Sequence, residues 1–171
     1  MRKEIEKLLQ SVQKPARYAG GELNSVMKDK SKVALRYAFC FPDTYEIGMS
    51  HLGMKILYGV ANAREDTWCE RVFAPADDME ALMRANGEPL FALESGDPIK
   101  DFDMIGFTMQ YELSYTNILN MLDLAGVPLR AEDRKSLTPI VAFGGPCACN
   151  PEPVAEFADI IFLGEGEETT N

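Results

Sequence analysis

The sequence is poor in the residues that build metal sites and disulfide frameworks. Its 171 residues include four cysteines, one histidine and one tryptophan. Cys40 and Cys69 lie inside apolar, strand-like stretches, so we expect them to be small buried hydrophobic residues. Cys147 and Cys149 form a C-x-C pair, which is closer than the usual C-x₂₋₄-C spacing of zinc ligands. We therefore expect neither a structural metal nor a disulfide.

The chain also lacks a long apolar run and an excess of positive charge. No stretch of about 18 apolar residues occurs, which argues against a transmembrane helix. The charged start, Met1–Glu6, lacks the apolar segment of a signal peptide. We expect a cytoplasmic protein that does not contact membranes. The net charge of −10 argues against a nucleic-acid scaffold, because neutralising phosphates requires clustered Lys and Arg.

The sequence does have a regular alternation of apolar strand-like runs and helical patterns. Such strands separated by helices indicate a parallel sheet with both faces covered, and right-handed crossovers make it doubly wound. The predicted fold class is α/β with a doubly wound, mostly parallel sheet. Strands are predicted at residues 33–41, 67–73, 103–109, 139–143 and 159–163, with a short strand or edge segment at 90–93 and a further short strand at 25–27. The main helices are predicted at 2–12, 51–60, 77–86, 114–124 and 153–157.

The same pattern predicts how the chain is divided. Residues 1–31 are expected to form an N-terminal helix and connector, and residues 32–171 the α/β domain. The last residues, Glu167–Asn171, look like the first turn of a helix. We therefore expect the sequence to be cut off at a domain boundary.

Two loops beyond the predicted strands are rich in glycine. Ligands of such sheets bind beyond the carboxyl ends of the strands. Gly144-Gly145 and Gly164-x-Gly166 let the backbone approach a ligand closely, because no Cβ intervenes. Ordinary nicotinamide and ATP binding are not expected, because a G-x-G-x-x-G after the first strand and a Walker A lysine are absent.

Three ring-bearing residues also lie near the predicted strand ends. His51 is expected to be a surface or packing residue at the start of a helix that Ser50 caps. Tyr111 and Tyr115 flank the loop after residues 103–109. They either stack on a ligand or wedge the following helix against the sheet, and the sequence leaves both interpretations open.

Four motifs follow one another near the end of the chain. They are Phe143-Gly144-Gly145-Pro146, Asn150-Pro151-Glu152-Pro153, Phe157-Ala158-Asp159 and Gly164-Glu165-Gly166-Glu167-Glu168. This order resembles the end of the cobalamin-binding-like domain that precedes many radical S-adenosylmethionine (SAM) cores. The start of the chain, with Lys14–Tyr18 and Phe41–Ser50, is similar to one subgroup of radical SAM proteins, often linked to a partner domain suspected of RNA modification.

The resemblance implies a flavodoxin-like, cobalamin-binding-like Rossmann fold that holds the lower face and the nucleotide tail of cobalamin. It also implies a radical SAM core in the same protein. That core would hold a 4Fe–4S cluster and SAM, because the cluster motif C-x₃-C-x₂-C is absent from these 171 residues. Nucleic acid would enter only as a substrate of the complete enzyme. The residues implied to bind the cofactor are Thr108, Met109, Gln110, Gly144, Gly145, Pro146, Gly164 and Gly166.

One motif of histidine-ligated cobalamin domains is not matched. Those domains carry D-x-H-x-x-G after the first strand, whereas Asp43 and His51 are too far apart in this chain. His51 is therefore not expected to be a cobalt ligand. Either the domain binds cobalamin without a protein histidine, or it keeps the fold without cobalamin and positions substrate or docks against the radical SAM core. A flavin or another flat cofactor is a third interpretation.

Overall fold

A computed structural model describes residues 2–166 of the protein. The strands are β1 (Leu35–Phe41), β2 (Thr67–Phe73), β3 (Met104–Thr108), β4 (Ile140–Gly144) and β5 (Ile160–Ile161). The α-helices are α1 (Lys3–Leu9), α2 (Tyr45–Ser50), α3 (Leu52–Ala63), α4 (Asp77–Asn86) and α5 (Tyr115–Ala125). Short 3₁₀ helices lie at Pro15–Tyr18, Ile99–Asp101, Glu112–Ser114, Ala131–Asp133, Pro146–Cys149 and Glu152–Phe157. Within residues 2–166, no helix has both the length and the apolar character needed to cross a bilayer.

The five strands form one parallel sheet in the order β2-β1-β3-β4-β5. Helices lie on both of its faces, so the predicted doubly wound α/β fold is confirmed. The register places Gly106 of β3 between Phe39 of β1 and Ala142 of β4. The middle of the sheet therefore carries small residues side by side.

Residues 90–93, predicted as a short strand or an edge segment, form no strand, but Leu93 donates its N–H to Arg71 at the edge of β2. That segment makes only an isolated bridge between Phe91 and Pro98. A tight turn folds it back, because Gly96 adopts a φ of +74° and donates its N–H to the carbonyl of Ala92 at 2.9 Å. The apolar side chains of the segment are buried in the core, which explains why the sequence pattern predicts a strand here. The helix turn expected at residues 167–171 lies outside the described residues.

The short strand predicted at residues 25–27 is also absent. Val26 donates its N–H to the hydroxyl of Tyr58 at 2.7 Å and accepts a hydrogen bond from the indole of Trp68 at 3.0 Å. Its backbone groups are thus satisfied by side chains rather than by a neighbouring strand. The connector before β1 runs across the sheet edge without extending the sheet.

Side chains and a loop seal the outer edge of β2, whose seven residues are all buried. Asn62 accepts from the N–H of Cys69 at 3.1 Å and donates to its carbonyl at 2.9 Å. Leu93 donates its N–H to the carbonyl of Arg71, and the Glu94 carboxylate accepts from the Arg71 N–H. An unsealed edge would present free backbone groups to other chains, so this arrangement closes the sheet on one side.

One face of the sheet, which we call the packed face, is covered by α1, α4 and α5. Its core holds residues from all three helices and from the strands beneath them. Ile5 of α1 is fully buried there, so the N-terminal helix shares the core of the α/β domain. The domain boundary between residues 31 and 32 stays a prediction. The largest fully buried side chains of this core are Phe102, Phe107, Phe143, Ile5, Met79, Met83, Ile99, Ile105, Met109, Ile118 and Met121.

The other face, which we call the open face, is covered only in part. Helix α3 packs its Met54 and Tyr58 against β1 and β2 in a second, smaller core. No described helix covers β3, β4 and β5 on this side. Ile160 and Phe162 are 40% and 38% exposed there. The fold therefore leaves an apolar surface uncovered next to α3.

A candidate cofactor crevice on the open face

A crevice of about 730 Å³ runs along the open face beside α3. One end lies at the carboxyl ends of the strands, near Thr108 and Gly144, and the other at their amino ends, near Leu35 and Met104. Ligand pockets commonly measure about 300–1,000 Å³ and are mostly apolar. The crevice therefore has the size and the lining of a small-molecule site.

Small residues keep the floor of the crevice low. Gly106 and Ala142 sit side by side in β3 and β4. The Tyr37 side chain lies against Gly106 so closely that a Cβ on Gly106 would come within 2.5 Å of the Tyr37 hydroxyl oxygen. Burial raises the pKa of Tyr37 well above its usual value, so its hydroxyl remains protonated at neutral pH.

Gly145 locks together the loops that follow β3 and β4. Its φ is +96°, and a Cβ there would lie 3.0 Å from the Met109 backbone and from the Thr108 hydroxyl oxygen. Met109 donates its N–H to the Gly144 carbonyl at 2.7 Å and accepts from the Cys147 N–H at 3.1 Å. A larger residue at position 145 would be strained and crowded. Glycine is needed here to hold the rim of the crevice in one shape.

Seven of the eight predicted cofactor residues line the crevice. They are Thr108, Gln110, Gly144, Gly145, Pro146, Gly164 and Gly166. Met109 does not, because its side chain is fully buried in the core of the packed face. The Gln110 amide donates to the Thr108 hydroxyl, so these two polar side chains form one unit at the rim. That any of these residues binds a cofactor stays a prediction.

The sequence did not point to the wall and floor of the crevice. The lining residues that it missed include Tyr37, Phe39, Met54, Leu57, Gly106, Ala142 and Phe162. The alternation of side chains along each strand separates the two faces. Predicting which of the two faces is left uncovered beside α3 also requires the order of the strands in the sheet.

His51 caps α3, in place of the predicted Ser50. Its Nδ1 accepts a hydrogen bond from the Met54 N–H at 3.2 Å, and its ring centroid lies 5.3 Å from that of Phe41. Ser50 instead donates its hydroxyl to the Ile47 carbonyl at 2.7 Å. α2 ends at Ser50 and α3 begins at Leu52, so His51 is the last residue before α3. Its imidazole nitrogen accepts one of the backbone N–H groups that have no partner within the first turn of a helix. His51 also lines the crevice.

Two of the four cysteines are buried, as predicted for Cys40 and Cys69. Cys40 and Cys69 are fully buried, and burial raises the pKa of each thiol well above its usual value. Cys149 is exposed and lines the rim of the crevice. Within the part of the chain that the structure describes, no three His, Cys, Asp or Glu side chains are grouped to hold a metal.

The two tyrosines after β3 lie outside the crevice lining. The Tyr111 hydroxyl donates to the Asp43 carboxylate at 3.0 Å and ties the loops after β1 and β3 together. Tyr115 is partly buried against the packed core. The wedge interpretation therefore describes Tyr115.

Comparison with known proteins gives two similarities. Residues 53–171 match a family described as radical SAM proteins, N-terminal. The chain is also 37% identical over 81 residues to the uncharacterized protein MJ0966 of Methanocaldococcus jannaschii, and this match covers 46% of the chain and 16% of that protein. The chain thus corresponds to a small part of that relative. No solved structure matches the chain.

Proposed function

Since this chain belongs to the N-terminal family of radical SAM proteins, we propose that it is the cobalamin-binding module of a radical SAM enzyme. The radical SAM core would follow in the same protein and would hold the 4Fe–4S cluster and SAM. The crevice on the open face carries the proposal, because it joins an apolar trench to a glycine-rich rim at the carboxyl ends of the strands. Cofactors of doubly wound sheets bind at that end.

The lining fits the chemistry of the proposed cofactor. Gly144, Gly145 and Gly164 offer backbone without side chains, which suits a bulky macrocycle and its nucleotide tail. Thr108 and Gln110 supply hydroxyl and amide groups that can hydrogen-bond polar atoms of the ligand. Met109 contributes its backbone alone, since its N–H and carbonyl hold the two rim loops together. Bound cobalamin would supply methyl-transfer or related radical chemistry to the adjoining core.

The proposed mode of binding uses no protein histidine. The Nδ1 of His51, the single histidine of the chain, already accepts the Met54 N–H that begins α3. Taking His51 away from this bond would leave the first turn of α3 without its cap. We therefore assign His51 to the folding of the crevice wall.

A cobalamin titration followed by visible absorbance tests the proposal, with two glycine variants as a matched pair. Gly144→Leu places a side chain in the crevice without a backbone clash, because the nearest atom to an added Cβ is 3.7 Å away. Gly59→Leu on α3 makes the same change where no atom lies within 4 Å of an added Cβ and away from the crevice lining. We expect micromolar binding by the unchanged protein and by Gly59→Leu, and at least about tenfold weaker binding by Gly144→Leu.

Two results would contradict the proposal. The first is the absence of binding by the full protein, which would favour a cobalamin-free domain that positions substrate or docks against the core. The second is equal binding by both leucine variants, which would place cobalamin outside the crevice. Matching thermal unfolding curves for the two variants would show that neither substitution acts through misfolding.

A further inference from the structure

A tyrosine hydroxyl in the middle of the open face has no hydrogen-bond partner within residues 2–166. The Tyr37 side chain lies across Gly106, where an added Cβ would come within 2.5 Å of the Tyr37 hydroxyl oxygen. Tyr37 also lines the crevice. A polar group that is shielded from bulk water normally has a partner, so this hydroxyl is a free donor on the crevice floor.

The surroundings of Tyr37 favour an uncharged ligand group. Burial raises the pKa of Tyr37 well above its usual value, so the phenol stays protonated and can donate a hydrogen bond. The charged side chains among the lining residues lie at the ends of the crevice, because Arg64 and Asp66 precede β2 and Glu165 follows β5. Burying a charge without a counter-charge is costly. The middle of the crevice therefore suits a neutral hydrogen-bond acceptor.

The side chains around this hydroxyl favour a flat ligand group. The rings of Tyr37 and Phe39 lie at 23° to each other, with their centroids 5.6 Å apart. Gly106 and Ala142 provide a floor without large side chains, and Phe162 adds another ring to the lining. Aromatic groups pack well against one another in offset or edge-to-face arrangements. A planar ring can therefore contact the floor and these side chains together.

We propose that the middle of the crevice binds an uncharged heteroaromatic ring, and that Tyr37 selects this ring by donating a hydrogen bond to a ring nitrogen. The ring would lie over Gly106 and Ala142. A ligand without the acceptor nitrogen would leave the phenol unpaired, and an unpaired polar group in a binding site is what discriminates between ligands of the same shape. The ring is either part of cobalamin, in its nucleotide tail, or a separate ligand. The inference therefore goes beyond the proposed function and does not require it.

Benzimidazole and indole are matched probes for this site. Both are flat and bicyclic, and only benzimidazole has a ring nitrogen that accepts a hydrogen bond. Ligand-observed NMR measures the binding of each probe to the full protein. We expect Tyr37→Phe to weaken benzimidazole binding at least about fivefold and to leave indole binding unchanged. Tyr111→Phe is the matched control, because it removes a hydroxyl that donates to Asp43 outside the crevice lining, and it should change neither probe.

Three results would overturn the inference. They are unchanged benzimidazole binding by Tyr37→Phe, equal weakening of both probes by this substitution, and no binding of either probe to the unchanged protein. Unchanged indole binding by Tyr37→Phe would show that the variant keeps its fold and its crevice.

Competition separates the two sources of the ring. Displacement of benzimidazole by cobalamin, but not by cobinamide, which lacks the nucleotide tail, would assign the ring to that tail. Benzimidazole that stays bound at saturating cobalamin would assign the ring to a separate ligand, and both outcomes support the role of Tyr37. A protein that binds benzimidazole through Tyr37 and does not bind cobalamin would contradict the proposed function and leave this inference standing.

Discussion

Within residues 2–166, the helices α1, α4 and α5 fill a continuous core on the packed face, whereas α3 and the short α2 cover only β1 and β2 on the open face. The packed core includes large side chains such as Phe102 and Ile118 that solvent barely reaches. The open face places Gly106 and Ala142 at its centre and leaves a crevice of about 730 Å³ beside them. Large residues stabilise one face, and small residues create space on the other.

The packed face accounts for most of the stability of the domain, and the open face provides the space for binding. Filling a core with large side chains lowers the free energy of the folded state, and each buried residue is costly to truncate. Glycine and alanine on the open face bury little apolar area, but their small size leaves space for a ligand. The difference predicts that equal substitutions have unequal effects on the two faces.

The largest effect is expected from Phe102→Ala on the packed face. Phe102 is fully buried, and the Arg36 guanidinium carbon lies 4.0 Å from its ring centroid. Truncation removes the ring and leaves a cavity, so we expect a loss of about 3–5 kcal/mol in the free energy of unfolding. Urea denaturation measures the loss. A loss below about 1 kcal/mol would mean that this face is not the main source of stability.

The next effect concerns the ion pair that holds the β2 edge. The Glu94 carboxylate lies 2.6 Å from the Arg71 guanidinium, and their side chains are 1% and 9% exposed. Glu94→Ala leaves the buried Arg71 cation with Glu22 as its remaining carboxylate partner among the described residues, so we expect a loss of about 3 kcal/mol. Glu80→Ala removes a partner from the exposed Arg84 pair and is expected to change the unfolding midpoint much less.

The pH dependence of Glu94 sharpens this result. Burial raises the pKa of the Glu94 carboxyl, and the attraction of Arg71 offsets this only in part. The folded state then binds the proton more tightly than the unfolded chain, so this group's contribution falls as the pH rises above about 4.3. Relative to Glu94→Gln, the wild-type protein should lose stability as the pH rises from about 4.3 through the raised pKa of Glu94, with no further loss above it. A relative gain would show that the attraction of Arg71 outweighs burial.

A smaller loss in the free energy of unfolding is expected from Asn62→Leu, which removes two hydrogen bonds between α3 and β2. The substitution removes the partners of the Cys69 N–H and carbonyl in a strand where all residues are buried. Leaving these backbone groups unpaired should cost about 2 kcal/mol. Chemical denaturation measures the loss. If Asn62→Leu were neutral, water would have to replace the amide at this edge.

The smallest effect is expected from Phe162→Ala on the open face. Phe162 is 38% exposed and borders the crevice, so residues 1–171 should lose less than about 1 kcal/mol. Comparison with Phe102→Ala in the same urea assay tests the difference between the faces directly. Equal losses for the two phenylalanines would contradict it.

The sequence predicted the elements of the fold better than their arrangement. Apolar runs such as 67–73 and 139–143 identified strands because burial on both faces leaves a continuous signal. Residues 90–93 gave the same signal but form no strand, since burial alone does not specify strand pairing. Helix caps and edge seals such as His51 and Asn62 depend on tertiary contacts, which no local pattern encodes.

The rim of the crevice was easier to anticipate than its wall. Gly144 and Gly145 follow a strand, and that position alone marks a ligand-binding edge in an α/β sheet. Leu57 and Phe162 come from distant parts of the chain and line the same crevice only in the folded domain. The crevice itself lies where none of the helices within residues 2–166 covers the sheet.

Hydrogen–deuterium exchange of the full protein with and without cobalamin compares the two faces in one measurement. Binding in the crevice should slow exchange in the loops at residues 108–110, 144–149 and 162–166 and leave α1 and α4 on the packed face unchanged. Protection confined to α1 and α4, or no protection anywhere at saturating cobalamin, would contradict the assignment of the open face as the cofactor-binding face.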